Sequence, residues 1–129
     1  MPVVAKHMSR ELLIVAPSVR LADAAERMHA RDVGAVVVVE DDRLVGILTE
    51  RDLLRAVAAG LDPEARVSDW MTSGPETIAP DETTAHAGVL MIHGGFRHLP
   101  VLDGAQIVGM LSIRDLMRVV LEDSAPRGV

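Results

Sequence analysis

The 129-residue chain has no cysteine, no tyrosine, one tryptophan and one phenylalanine. Without cysteine there is no disulfide, no thiolate nucleophile and no zinc–cysteine cluster. With so few rings, the core has to be built from Val, Leu, Ile, Ala and Met. Cations are outnumbered as well: 13 Lys and Arg face 19 Asp and Glu, for a formal net charge of −6. Nucleic-acid binding relies on cations to neutralise phosphates, so no nucleic-acid partner is expected. No apolar run approaches the roughly 18 residues that span a bilayer, and no signal-peptide pattern opens the chain. The expectation is a cytoplasmic protein with no membrane partner. Aliphatic residues are what the chain does have. At 49% hydrophobic it has ample material for a core, which excludes wholesale disorder.

Much of that material is arranged twice. Displaced by 63 positions, Val4–Val57 lies over Val67–Val120 without a gap, and 16 of the 54 aligned positions are identical. Ala16-Pro17 returns as Ala79-Pro80, and Met28 as Met91. The densest match sets Val45-Gly46-Ile47-Leu48-Thr49-Glu50-Arg51-Asp52-Leu53 over Val108-Gly109-Met110-Leu111-Ser112-Ile113-Arg114-Asp115-Leu116. A unit of about 60 residues buries only about 60% of its unfolded surface, so two fused copies are far safer than one. The expected division is a first repeat over 1–60, a linker over 61–66, a second repeat over 67–124 and a tail over 125–129.

Each copy reads as a short strand, a helix, two strands joined by a tight turn, and a second helix. In the first copy, Leu13–Val15 ends at Ala16-Pro17. Ser18 is placed to cap a helix with Leu21, Ala24, Ala25 and Met28 at helical spacing, and Gly34 is expected to close it. The run Ala35–Val39 suits a strand covered on both faces. Asp41-Asp42 makes the turn, and Arg43–Leu48 returns. In the second copy Gly94-Gly95 ends the helix, and Asp103-Gly104 is a hairpin signal. The last helices, Glu50–Ala59 and Ile113–Glu122, are apolar around a wide arc, which predicts cover from a second subunit.

The chemistry concentrates in Gly-x-Leu-Thr/Ser-x-Arg-Asp-Leu, where a strand gives way to a helix. Unsatisfied amides at a helix N-terminus attract anions, and Thr49 and Ser112 add hydroxyls beside them. Arg51 and Arg114 can add charge-assisted contacts. Asp52 and Asp115 repel phosphate but can accept two adjacent ribose hydroxyls, so the set suits a nucleoside phosphate better than a bare anion. The same tetrapeptides read equally as capping boxes, in which the first and fourth residues satisfy each other's backbone N–H. The two roles are compatible.

In its order and spacing the pattern resembles the cystathionine-β-synthase (CBS) domain family, and its tandem arrangement resembles a Bateman module. The segments that carry the likeness are Val67-Ser68-Asp69-Trp70-Met71-Thr72, Thr77-Ile78-Ala79-Pro80, Phe96-Arg97-His98-Leu99-Pro100-Val101 and the two Gly-x-Leu-Thr/Ser-x-Arg-Asp-Leu stretches. They span roughly Val4 to Asp123. The resemblance implies a mixed α/β (α+β) fold of two β-α-β-β-α repeats, packed with pseudo-twofold symmetry through their sheets. It also implies two crevices between the repeats that take AMP, ADP, ATP, S-adenosylmethionine or related adenosyl ligands. Carried over by position, Asp52 and Asp115 hold ribose, with Thr49 and Ser112 near ribose or phosphate. Arg97 and His98 match positions that reach phosphate, whereas their first-copy counterparts, Gly34 and Ala35, carry no charge. That departure implies two unequal sites. An adenine would lie against aliphatic side chains near Ile14-Val15 and Thr77-Ile78.

The remaining signals are weaker. His86 and His93 stand seven apart on one helix, short of the three or four ligands a metal site needs. His98, beside Arg97, can sense phosphate and pH or be an ordinary strand residue. Trp70 is expected to anchor its segment against the body. No nucleophile–base pair, Walker loop or metal cluster supports an enzyme, and no cofactor is expected beyond a regulatory adenine nucleotide. The leading expectation is a regulatory module that binds such a nucleotide, forms a homodimer and reports to a partner protein. The rival is a ligand-independent dimerisation scaffold.

Overall fold

The computed structural model of the chain describes residues 2–124, so the expected tail at 125–129 lies outside the described residues. The chain divides into two compact units, one over 12–75 and one joining residues 2–11 to 76–124.

The 12–75 unit opens with β1 (Ile14–Val15), followed by α1 (Leu21–Arg31), β2 (Ala35–Glu40), β3 (Arg43–Thr49) and α2 (Glu50–Ala58). A short helix α3 (Val67–Trp70) and a strand β4 (Thr72–Ser73) complete it. The sheet order is β1-β2-β3-β4, with β1 parallel to β2 and the other neighbours antiparallel. Val36, Val37 and Val38 are all buried, as an uninterrupted β-branched run requires of a strand covered on both faces. Leu21, Ala24 and Met28 bring one stripe of α1 into the same core as Val15, Val36, Val38, Leu48 and Ala56. Trp70 and Met71 pack against this cluster, so Trp70 does anchor its segment. Asp41 and Asp42 form the hairpin turn at φ 52° and 60°, the left-handed pair of a type I′ turn.

Two local expectations for α1 are corrected. Ser18 does not cap it: the helix starts at Leu21, and its N-cap, Arg20, makes no side-chain cap. The Leu21 N–H donates instead to the Ala65 carbonyl (2.8 Å), while the Ser18 carbonyl accepts from the Arg66 guanidinium (3.1 Å). The linker backbone thus takes the place of a side-chain cap. Nor does Gly34 close the helix. Asp32 does so in the left-handed conformation, φ 53°, which Asp tolerates better than most residues.

The second unit repeats the plan with α4 (Thr84–Gly94), β5 (His98–Asp103), β6 (Gln106–Ser112) and α5 (Ile113–Ser124). Gly95 ends α4 at φ 69°, and Gly104 opens the β5–β6 turn at φ 63°. The first strand of this copy shrinks to a single parallel bridge between Ile78 and Val101. The core gathers Ile78, Ala87, Met91, Leu99, Val101, Leu111 and Leu116, and it includes Val4 from the start of the chain.

Val4 belongs there because the opening segment of each repeat packs with the rest of the other one. In the first unit, β4 belongs in sequence to the start of the second repeat yet pairs with β3, Ile47 opposite Thr72. In the second unit Ser9 belongs in sequence to the start of the first repeat yet bridges to Met110 of β6, with two 2.9 Å backbone hydrogen bonds. Ser9 and Met110 are the counterparts of Thr72 and Ile47 at the 63-residue offset. The close approach of these lead segments explains the glycine of the repeated signature. A Cβ on Gly46 would lie 2.6 Å from Met71 Sδ and 2.9 Å from the Thr72 carbonyl, and one on Gly109 2.5 Å from Met8 Sδ and 2.9 Å from the Ser9 carbonyl.

Candidate functional site: two strand-to-helix corners

At the end of β3 the chain turns into α2, and Thr49 sits at the N-cap. Its hydroxyl accepts from the Asp52 N–H (3.4 Å), while Asp52 Oδ2 accepts from both the Thr49 N–H (2.8 Å) and its hydroxyl (3.1 Å). The end of β6 is a near copy. Ser112 Oγ accepts from the Asp115 N–H (3.2 Å), and Asp115 Oδ2 accepts from the Ser112 N–H (2.8 Å) and hydroxyl (2.9 Å). The capping-box reading therefore holds at both corners. Each box uses one carboxylate oxygen only. The second, Oδ1, faces a guanidinium one turn along: Arg55 at 3.6 Å from Asp52 and Arg118 at 3.4 Å from Asp115. Asp52 is only 4% exposed and Asp115 is largely buried, whereas both arginine side chains are mostly in solvent. An ion pair with so exposed a partner holds little energy and is easily exchanged.

Arg55 and Arg118 are participants that the sequence reading passed over. Their signal was available: an Asp-x-x-Arg pair at i,i+3, present in both copies. The expected arginines, Arg51 and Arg114, stand exposed on the first turn of each helix. Arg97 is exposed just ahead of β5, and its carbonyl accepts from the Ile113 N–H at 2.8 Å. His98, the first residue of β5, is partly buried. Thr49, Arg51 and Asp52 are thus brought together in one unit, and Ser112, Arg114, Asp115, Arg97 and His98 at the corner of the other. Val15 and Ile78 are committed to the cores of their units. Their neighbours Ile14, exposed, and Thr77, partly buried, are the accessible members of those segments. His86 and His93 are exposed on α4, and among the described residues no three His, Asp or Glu converge as a metal site would need.

The family model for the CBS domain matches residues 4–59 and again 67–122. The chain belongs to the CBS-domain family. The CBS-domain-containing protein YhcV of Bacillus subtilis is 34% identical over 110 residues, which cover 84% of this chain and 79% of that one. Among solved structures, a CBS-domain protein of Burkholderia ambifaria superposes with a TM-score of 0.89 at 32% identity, covering 98% of this chain and 99% of its own. CBSX2, solved in complex with AMP, gives a TM-score of 0.81 at 26% identity and covers 97% of this chain and 100% of its own. Within this family frame each corner is the junction between the last strand and last helix of a CBS repeat. No helix among the described residues is long and apolar enough to cross a membrane.

Proposed function

We propose that the chain is a regulatory CBS pair that binds an adenosine-containing ligand at its strand-to-helix corners. The observation that carries this reading is the division of labour on Asp52 and Asp115. Oδ2 closes the helix cap, and Oδ1 is paired with a mostly exposed arginine, Arg55 at 3.6 Å or Arg118 at 3.4 Å. An ionised carboxylate has about four acceptor positions, so a ribose diol can displace the arginine from Oδ1 without breaking the cap. The arginine so released is free to meet a phosphate. The solved AMP complex of CBSX2 supports adenosine as the ligand class. Binding would favour one arrangement of the protein over another and so report to a partner protein, provided the ligand discriminates between the two.

The module is further proposed to form a homodimer. Leu54 and Val57 on α2 are 69% and 60% exposed, and their offset counterparts on α5, Met117 and Val120, are 52% and 56% exposed. A face duplicated within one chain is matched by the same duplicated face of a second copy.

A second reading has its own support. Among the described residues no buried side-chain nitrogen or oxygen lacks a hydrogen-bond partner, so the caps are complete without a ligand. That favours a scaffold. Isothermal titration of AMP, ATP and S-adenosylmethionine into wild type and into the Asp52→Asn, Asp115→Asn double variant separates the two. The sensor reading expects binding that the double variant loses. Tight binding that survives it would overturn the ribose assignment, and no heat with any ligand would leave the scaffold.

A further inference from the structure

The helix α4 departs from its counterpart α1 on the side that faces solvent. Inward, the two agree: Ala87 and Met91 of α4 are buried, as are Ala24 and Met28 of α1. Outward, they differ. Glu26 and His29 of α1, both exposed, correspond at the 63-residue offset to Val89 and Ile92 of α4, which are 52% and 77% exposed. Over its 11 residues α4 carries no Asp, Glu, Lys or Arg, whereas α1 carries Asp23, Glu26, Arg27 and Arg31. A helix that is apolar on both sides is one that another body covers. The exposed side of α4 is not isolated either. A Cβ on Gly88 would lie 3.8 Å from Leu116 Cδ1, so α4 lies against α5. There Met117, Val120 and Leu121 are exposed in turn. The second unit thus offers apolar residues on two neighbouring helices. The first unit offers Leu54 and Val57 on α2, but its α1 adds charge.

We infer that the homodimer is built second unit on second unit, with α4 of one copy packed on α4 of the other beside the twofold axis. This rests on the homodimer reading above and deepens it. A twofold axis brings a residue beside it close to its own counterpart, so the matching face must tolerate itself. Interface cores are depleted of charge, and aliphatic side chains meet copies of themselves with nothing left unpaired. The outward side of α4 meets that condition. That of α1 does not: the same contact there would desolvate Glu26 and Arg27 and bring Glu26 close to a second Glu26. The occupant is a second copy because the face continues into the α5 strip already assigned to the dimer. Charge points the same way, since α4 presents no carboxylate, ammonium or guanidinium with which to select a charged partner.

The chain has no cysteine, so a single introduced thiol reports its own surroundings. Val89→Cys and Glu26→Cys, both at exposed positions, are each treated with a short bis-maleimide. Val89→Cys should give a covalent dimer, and Glu26→Cys should not. If the two link only when mixed, the second unit sits on the first unit of the partner. That result overturns the inference and leaves the homodimer reading intact, as does a dimer in which Val89→Cys fails to link at all. Sedimentation gives an independent measure. The double variant Val89→Glu, Ile92→His gives α4 the outward residues that α1 already carries, and unchanged circular dichroism will confirm that it folds. It should raise the dimer dissociation constant roughly 30-fold or more, because each change acts twice across the axis. Leu54→Glu, in the first unit, should raise it far less, and an equal effect would overturn the inference. Wild type that sediments as a monomer would bring down both readings.

Discussion

One methyl group at position 46 or 109 would probe how closely the lead segments are held. At each, the added carbon meets a backbone carbonyl at 2.9 Å as well as a methionine sulfur, and the carbonyl cannot swing aside as a side chain can. Gly46→Ala and Gly109→Ala are each expected to lower stability by about 1–3 kcal/mol, read as a reduced denaturation midpoint. Gly88, inside α4, makes the opposite case. Its added carbon would lie 3.8 Å from Leu116 Cδ1, an ordinary contact, so Gly88→Ala should stabilise by about 0.5–1 kcal/mol through helix propensity. A loss at 88 or a gain at 46 would contradict the packing described. The glycine of the signature was visible in the sequence as a repeated residue, but its cause was not. It answers to Met71 and Met8, whose contacts the fold alone creates. The hydroxyl–acid pairs were legible in both possible roles, and the cap geometry shows one of them. The arginine that covers each Oδ1 lay one helical turn beyond the motif as first drawn.

Helices and strands followed their patterns closely. The continuous valine run became a strand buried on both sides, and the acidic turn took left-handed angles at both residues. Misses came where distant backbone replaced a local signal. The carbonyl of Ala65 stands in for a cap on α1, and the second copy's opening strand survives as one bridge. The wide apolar arcs of α2 and α5 were legible too, and within one chain those arcs stay uncovered at Leu54, Val57, Met117 and Val120. A charge in the middle of each face should be incompatible with a subunit interface and harmless to the isolated fold. The double variant Leu54→Glu, Met117→Glu is therefore expected to run as a monomer by sedimentation while keeping its helical circular dichroism. A dimer persisting at micromolar concentration would show that a different surface associates.

For the whole molecule, the exchange of lead segments matters most. No periodicity reveals it, because each segment belongs to its own repeat in sequence and lies in the other unit in space. Residues 2–9 contribute the fully buried Val4, the Met8 side chain over Gly109 and the Ser9 bridge to β6. Their deletion should destabilise the second unit by about 2 kcal/mol or more, since burying one Val side chain alone is worth about 1.5–3 kcal/mol. Amide hydrogen exchange will locate the loss: β5 and β6 should exchange faster, with β2 and β3 much less affected. Uniform acceleration in all four strands would mean that the units open as one.

The same exchange sets an order of events at the ribosome. The stretch from Leu12 to Pro75 is contiguous and can close as soon as it has emerged. Residues 2–9, although synthesised before that stretch, wait for chain that follows it: Pro2, Val4 and Ala5 for backbone partners at 80–84, and Ser9 for Met110 of β6. Until then the apolar side chains of Val4 and Met8 stay uncovered, and β6 is the strand that brings Met8 and Ser9 to rest.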